Sequence, residues 1–108
     1  MHNLKLNPFK KLEIILEGAH QEFATDLLDR AGVKGYTIVS NLSGKGSQGF
    51  HEGHLMFNED EVLNMIITAV PEEIVEPLLE GFAPFFEKHS GVVFISDIQV
   101  TRPVKFKN

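Results

Sequence analysis

The chain has no cysteine and no tryptophan, a single tyrosine, and ten basic side chains against fifteen acidic ones. Without cysteine there is no disulfide, no thiolate nucleophile and no thiolate metal ligand. The formal charge is −5 with histidine neutral. That deficit of Lys and Arg argues against broad binding to nucleic acid or an anionic membrane, since both need clustered basic residues. It leaves room for a small anion held by a few local groups. No apolar stretch approaches the roughly 18 residues that span a bilayer. Lys10, Lys11 and Glu13 interrupt anything like a signal-peptide core. The expectation is a soluble, cytoplasmic protein with no membrane insertion. A length of 108 residues suits one domain, and 43% hydrophobic residues are enough for a core and too many for intrinsic disorder.

What is present falls into alternating periods. Residues 1–10 read as a loose leader. Residues 12–16, Leu-Glu-Ile-Ile-Leu, read as a first strand. Over residues 19–31, Phe23, Leu27, Leu28 and Ala31 share one helical face, with Glu22, Asp26 and Arg30 toward water and Gly32 as the stop. Residues 36–42 read as a second strand. The stretch 43–54 then has four glycines in twelve residues, and a mobile loop is expected over 43–61. Residues 62–70 are nearly continuous apolar sequence, which predicts a strand buried on both faces or in a subunit interface. Pro71, Glu72 and Glu73 mark a helix start with Pro at the first helical position. Ile74, Val75, Leu78, Leu79, Phe82, Phe85 and Phe86 form its face, and Pro77 and Pro84 predict a kinked or broken helix. Residues 92–101 alternate as a last strand, and 103–108 form a short basic tail.

The order β-α-β-β-α-β predicts an α+β, ferredoxin-like fold. In it a four-stranded antiparallel sheet carries two helices on one face. The bare face needs a cover, and an oligomer is the simplest one.

Few residues announce chemistry. Gly44-Lys45-Gly46 follows a strand, where glycines allow backbone N–H groups to approach a phosphate beside the Lys45 charge. It lacks Walker spacing and reads equally as a flexible turn. His51 and His54, with Glu52 between them, could ligate a divalent ion, or could be ordinary polar loop residues. Glu59, Asp60 and Glu61 read as a solvated edge. His20 reads as an exposed cap residue. His89 and Lys88 suit the negative end of the second helix. Arg102 closes the last strand as a phosphate clamp or a surface ion-pair partner. No catalytic triad or paired carboxylates are visible, so the expectation is not an enzyme.

Residues 31–38 leading into Gly44-Lys45-Gly46, the long loop, residues 62–70 and the closing segment 91–102 together resemble the PII-like signalling proteins. The resemblance covers residues 11–102. The closing segment, with Asp97, Gln99, Arg102 and Phe106, is most similar to the branch that includes carboxysome-associated PII proteins and relatives linked to bicarbonate uptake. The resemblance implies a homotrimer with adenine nucleotides in the clefts between subunits. It also implies a long loop that changes with the ligand and docks on a transporter or a carbon-metabolism protein. Carried over by position, the nucleotide-binding residues are Thr37, Gly44, Lys45, Gly46, Gly91, Val92, Val93 and Arg102. The uridylylated tyrosine of nitrogen-regulating members has no counterpart, and Val92 stands where the family usually has a phosphate-binding lysine. That favours ADP or AMP over a triphosphate, with bicarbonate as a possible co-ligand and no tightly bound cofactor. Two rival readings differ in class. One is a trimeric divalent-metal protein of the cation-tolerance type, using His51 and His54. The other is a small enzyme acting on nucleotides.

Overall fold

The computed structural model describes residues 5–43 and 62–102. Strand β1 (Asn7–Glu17) is the organising element. Its alternation places Leu12, Ile14 and Leu16, all fully buried, on one face, and Lys11, Glu13 and Ile15 on the other. A single 3-10 turn (Gly18–His20) leads into α1 (Gln21–Arg30), which stops at Gly32 with a left-handed φ of 85°. The remaining elements are β2 (Thr37–Leu42), β3 (Leu63–Val70), α2 (Glu72–Lys88) and β4 (Gly91–Val100).

The sheet order is β2-β3-β1-β4, with every pair antiparallel. This is the ferredoxin-like arrangement expected from the element order. Both helices cover the face that carries Leu12, Ile14, Leu16, Ile66 and Val70, packing Ala24 and Leu28 of α1 and Leu78 and Phe82 of α2 against it. Each large apolar side chain so enclosed is worth about 1.5–3 kcal/mol. On the other face Phe94 remains 53% exposed in the protomer.

Several boundaries differ from the sequence reading. β1 starts at Asn7, not at residue 12, so Asn7, Pro8, Phe9 and Lys10 of the expected leader are in strand, paired with β4 from Val100 to Asp97. The long partner strand supplies pairing that the short apolar run did not advertise. α1 starts at Gln21 because residues 18–20 form the tighter 3-10 turn. Within α1 the buried positions are Ala24 and Leu28, whereas Phe23 lies at the rim, 36% exposed. Pro71 is the extended N-cap residue of α2, not its first helical residue.

α2 is one helix, neither broken at Pro77 nor at Pro84. Glu73, Pro77, Glu80 and Pro84 all fall on its exposed side. The carbonyls that lose a donor to the prolines, those of Glu73 and Glu80, therefore face water, which satisfies them.

Candidate functional site

β2 ends at Leu42 and β3 begins at Leu63, paired at one end of the sheet, and that end is tightly tied. The Gly18 N–H donates to the Val62 carbonyl at 2.9 Å. The buried Asn64 side chain donates from Nδ2 to Gln21 Oε1 at 2.5 Å, and its Oδ1 accepts the Asn41 N–H at 3.3 Å. Asn41 has a left-handed φ of 61° within the register shift between Val39 and Leu42. Asn is among the few side chains that tolerate this conformation. Asn64 thus joins β2, β3 and α1 beneath a groove of about 440 Å³ lined by Glu17, Ser40 and Val62 among others.

Thr37 opens β2 at one edge of the sheet and is exposed. It lines a groove of about 480 Å³ together with Lys11, Lys34, Ile67 and Ile98. Two ammonium groups and a hydroxyl on an apolar floor suit an anionic ligand with a flat apolar part. The approach to β2 is held by Thr68, whose hydroxyl donates to the Gly35 carbonyl at 2.6 Å. Tyr36 beside it has its phenol pushed above the ordinary value, first by burial and then by the Asp29 carboxylate of α1.

Gly91, Val92 and Val93 open β4, the opposite edge strand. Val93 packs on the core, so alternation turns Val92 to the open face. A Cβ at Gly91 would collide with the Phe86 ring and press on the Ile15 carbonyl at 3.1 Å. Packing alone therefore accounts for glycine there. Arg102 lies just beyond β4 and is exposed.

The structure does not bring Thr37 and Gly91 together within one protomer. Thr37 shares a row with Ile67, Glu13 and Phe94, three rows from Gly91 and three strands across. Ordinary sheet spacings make that about 17 Å, whereas hydrogen-bond donors to one phosphate lie within about 3 Å of it. Gly44, Lys45, Gly46, His51 and His54 lie outside the described residues. Among the described residues no group of three His, Asp or Glu side chains is arranged to hold a metal ion.

Sequence reasoning missed three features. Asn64 was visible only as a polar interruption of an apolar run. Lys10 forms an ion pair with Asp97, which, as a hydrogen-bonded charge partner, raises the lysine above its ordinary value. His20 and His89, read as separate cap residues, lie with their rings against each other, 4.4 Å apart and tilted by 55°. No helix of the described residues is long and apolar enough to cross a membrane.

Residues 9–105 match the family described as Nitrogen regulatory protein P-II. A structure of CPII from Thiomonas intermedia K12, bound to ADP, AMP and acetate, is 73% identical and superposes with a TM-score of 0.86, covering 97% of this chain and 100% of that one. Another CPII structure from the same organism, bound to ADP, AMP and bicarbonate, is 79% identical with a TM-score of 0.83, covering 98% and 100%. The GlnK–ATP complex of B. subtilis, at 24% identity and a TM-score of 0.62 over 84% and 82%, shares the fold. With a family match over nearly its whole length and relatives of this identity, the chain belongs to the P-II family of nitrogen regulatory proteins.

Proposed function

We propose that this protein is a non-enzymatic regulator that binds ADP or AMP, together with bicarbonate, in clefts between the subunits of a homotrimer. The observation that carries this reading is one relative, CPII, more than 70% identical, whose two structures hold ADP and AMP, one of them with bicarbonate. The arrangement of the protomer supports it. Thr37 and Gly91 lie on opposite edges of the sheet and are too far apart to hold one phosphate within a single chain, which fits a site that takes one edge from each of two neighbours.

In this reading Thr37, with Lys11 and Lys34 close by, receives the nucleotide from one subunit. Gly91, Val92 and Val93 supply backbone from the other, with Gly44, Lys45 and Gly46 at the base of the 43–61 loop. Arg102 adds a guanidinium to the phosphates. Ligand contacts offset the entropy of ordering a glycine-rich loop, which then engages a partner in inorganic-carbon transport or metabolism, as in the carboxysome-associated and bicarbonate-linked branch. Bicarbonate is an anion small enough to sit beside a nucleotide phosphate on the same donors.

The test is isothermal titration calorimetry with ATP, ADP, AMP and cyclic AMP, each with and without bicarbonate. Micromolar binding of ADP or AMP, weakened about tenfold or more by Arg102→Ala or Lys45→Ala through loss of one charge-assisted contact, supports the reading. No heat with any of the four overturns it.

A further inference from the structure

Thr68 is polar at a position where burial favours an apolar residue. It lies on the core face of β3 between Ile66 and Val70, both fully buried, and opposite the fully buried Leu12 of β1. Thr68 itself is 3% exposed. A valine has the same shape and no hydroxyl to desolvate, so the hydroxyl is tolerated only where it is hydrogen-bonded. Its partner is the Gly35 carbonyl, at 2.6 Å. This bond stands where the sheet ladder gives out. Pairing of β2 with β3 begins at Thr37 opposite Ile67, and residues 34–36 precede the strand. A side chain from β3 thus holds a stretch of backbone that the ladder does not reach.

Gly35 adds a second observation. A Cβ there would meet nothing within 4 Å, and its backbone is not left-handed, unlike that of Gly32. Neither packing nor conformation within the protomer calls for glycine. Gly81 and Gly91 differ, because a Cβ on them would strike Leu27 and Phe86. The remaining use of a glycine is to let something outside the protomer come close to the backbone. Gly35 lines the groove that Lys11, Lys34, Thr37 and Ile67 share.

We propose that Thr68 is a positioning residue for this groove: by holding the Gly35 carbonyl it fixes residues 34–37 as a bare step of backbone against which the ligand rests. Tyr36 packs on the core, so alternation presents Thr37 to the groove. Without the Thr68 bond the half-buried Gly35 takes water at its carbonyl. Residues 34–37 then sample several arrangements, and a ligand must order them before it binds. The inference deepens the nucleotide reading above, and its effect on ligand rests on that reading.

NMR relaxation of the full-length, ligand-free protein tests the positioning without nucleotide. Order parameters of residues 34–36 should lie in the rigid range, about 0.85, in wild type and fall toward about 0.6 in Thr68→Val, while those of β1 stay unchanged. Thr68→Ser keeps the hydroxyl and should keep the segment rigid. Equal order parameters in wild type and Thr68→Val overturn the proposal, and so does a segment already flexible in wild type.

Calorimetry with ADP tests the consequence. Thr68→Val should bind about fivefold more weakly, the worth of one neutral hydrogen bond, and Thr68→Ser should restore wild-type affinity. Wild-type affinity in Thr68→Val, whatever its melting temperature, would reduce the hydroxyl to a stabilising role and overturn the proposal. Gly35→Ala should melt with wild type and keep its oligomeric state by light scattering, yet bind ADP more weakly. Unchanged affinity in Gly35→Ala overturns the bare step, and a changed oligomeric state does so too, by assigning the gap to a neighbouring copy. If wild type gives no heat with ADP, the nucleotide reading fails, and the order parameters alone decide whether Thr68 positions this segment.

Discussion

Gly91 stands where the family resemblance expects a phosphate-contacting backbone, yet Phe86 and the Ile15 carbonyl already occupy the space a side chain would need. Gly91→Ala should therefore destabilise the protein in the absence of any nucleotide, by about 1–3 kcal/mol as overpacking does. Differential scanning calorimetry of the ligand-free variant checks this, and an unchanged midpoint would return the glycine to a purely binding role. At this scale little was legible beforehand. Gly32 could be placed as a helix stop because its signal is local. Asn64 could not be assigned, because its partners Asn41 and Gln21 belong to other elements. The same holds for His20 and His89, whose contact exists only once β1 and α2 end side by side.

Among the elements, α2 departs most from its sequence. Two interior prolines predicted a kink or a break, and the helix is unbroken: both fall on the wetted stripe with Glu73 and Glu80, while Leu78 and Phe82 hold the opposite side in the core. Tertiary burial outweighs the local penalty here, as it commonly does for helices. The cost is still present. Pro77→Ala restores a backbone donor toward Glu73 and should stabilise the fold by about 2 kcal/mol, the helix-interior penalty less the entropy that proline removes from the unfolded chain. Urea unfolding measures it, and a variant no more stable than wild type would mean the helix is not strained at that turn. Among the described residues, hydrophobic period identified the four strands and two α-helices, because each period is written within its own segment. Their ends were less readable. The β1 extension to Asn7 depends on β4 running alongside as far as Val100.

For the molecule as a whole, two raised pKa values set an alkaline limit. Lys10 is raised first by its hydrogen bond to Asp97, and Tyr36 first by burial. Both folded values lie above the ordinary 10.5 and 10.0. The stability they contribute is therefore complete below pH 10 and is lost as pH rises through the folded values. Denaturation midpoints should fall above pH 10, and the fall should be shallower in a Lys10→Met, Tyr36→Phe double variant. Equal slopes would assign the fall to other groups. The fold class was legible from element order alone. The proposed nucleotide site was legible only as positions carried over from a resemblance, because Thr37 and Gly91, two of them, lie on opposite edges of the sheet and chain order alone does not relate them.

The strand order has a consequence for how the chain comes into being. β1 is central, but its partners are β3 and β4, and the first of these begins only at Leu63. As the polypeptide leaves the ribosome, Leu12, Ile14 and Leu16 emerge long before any strand exists to pair with them. Their pairing is wholly non-local, which slows folding. Until β3 arrives, the nascent chain presents an unpaired apolar strand to its surroundings, the condition in which association with chaperones or with other nascent copies competes with folding.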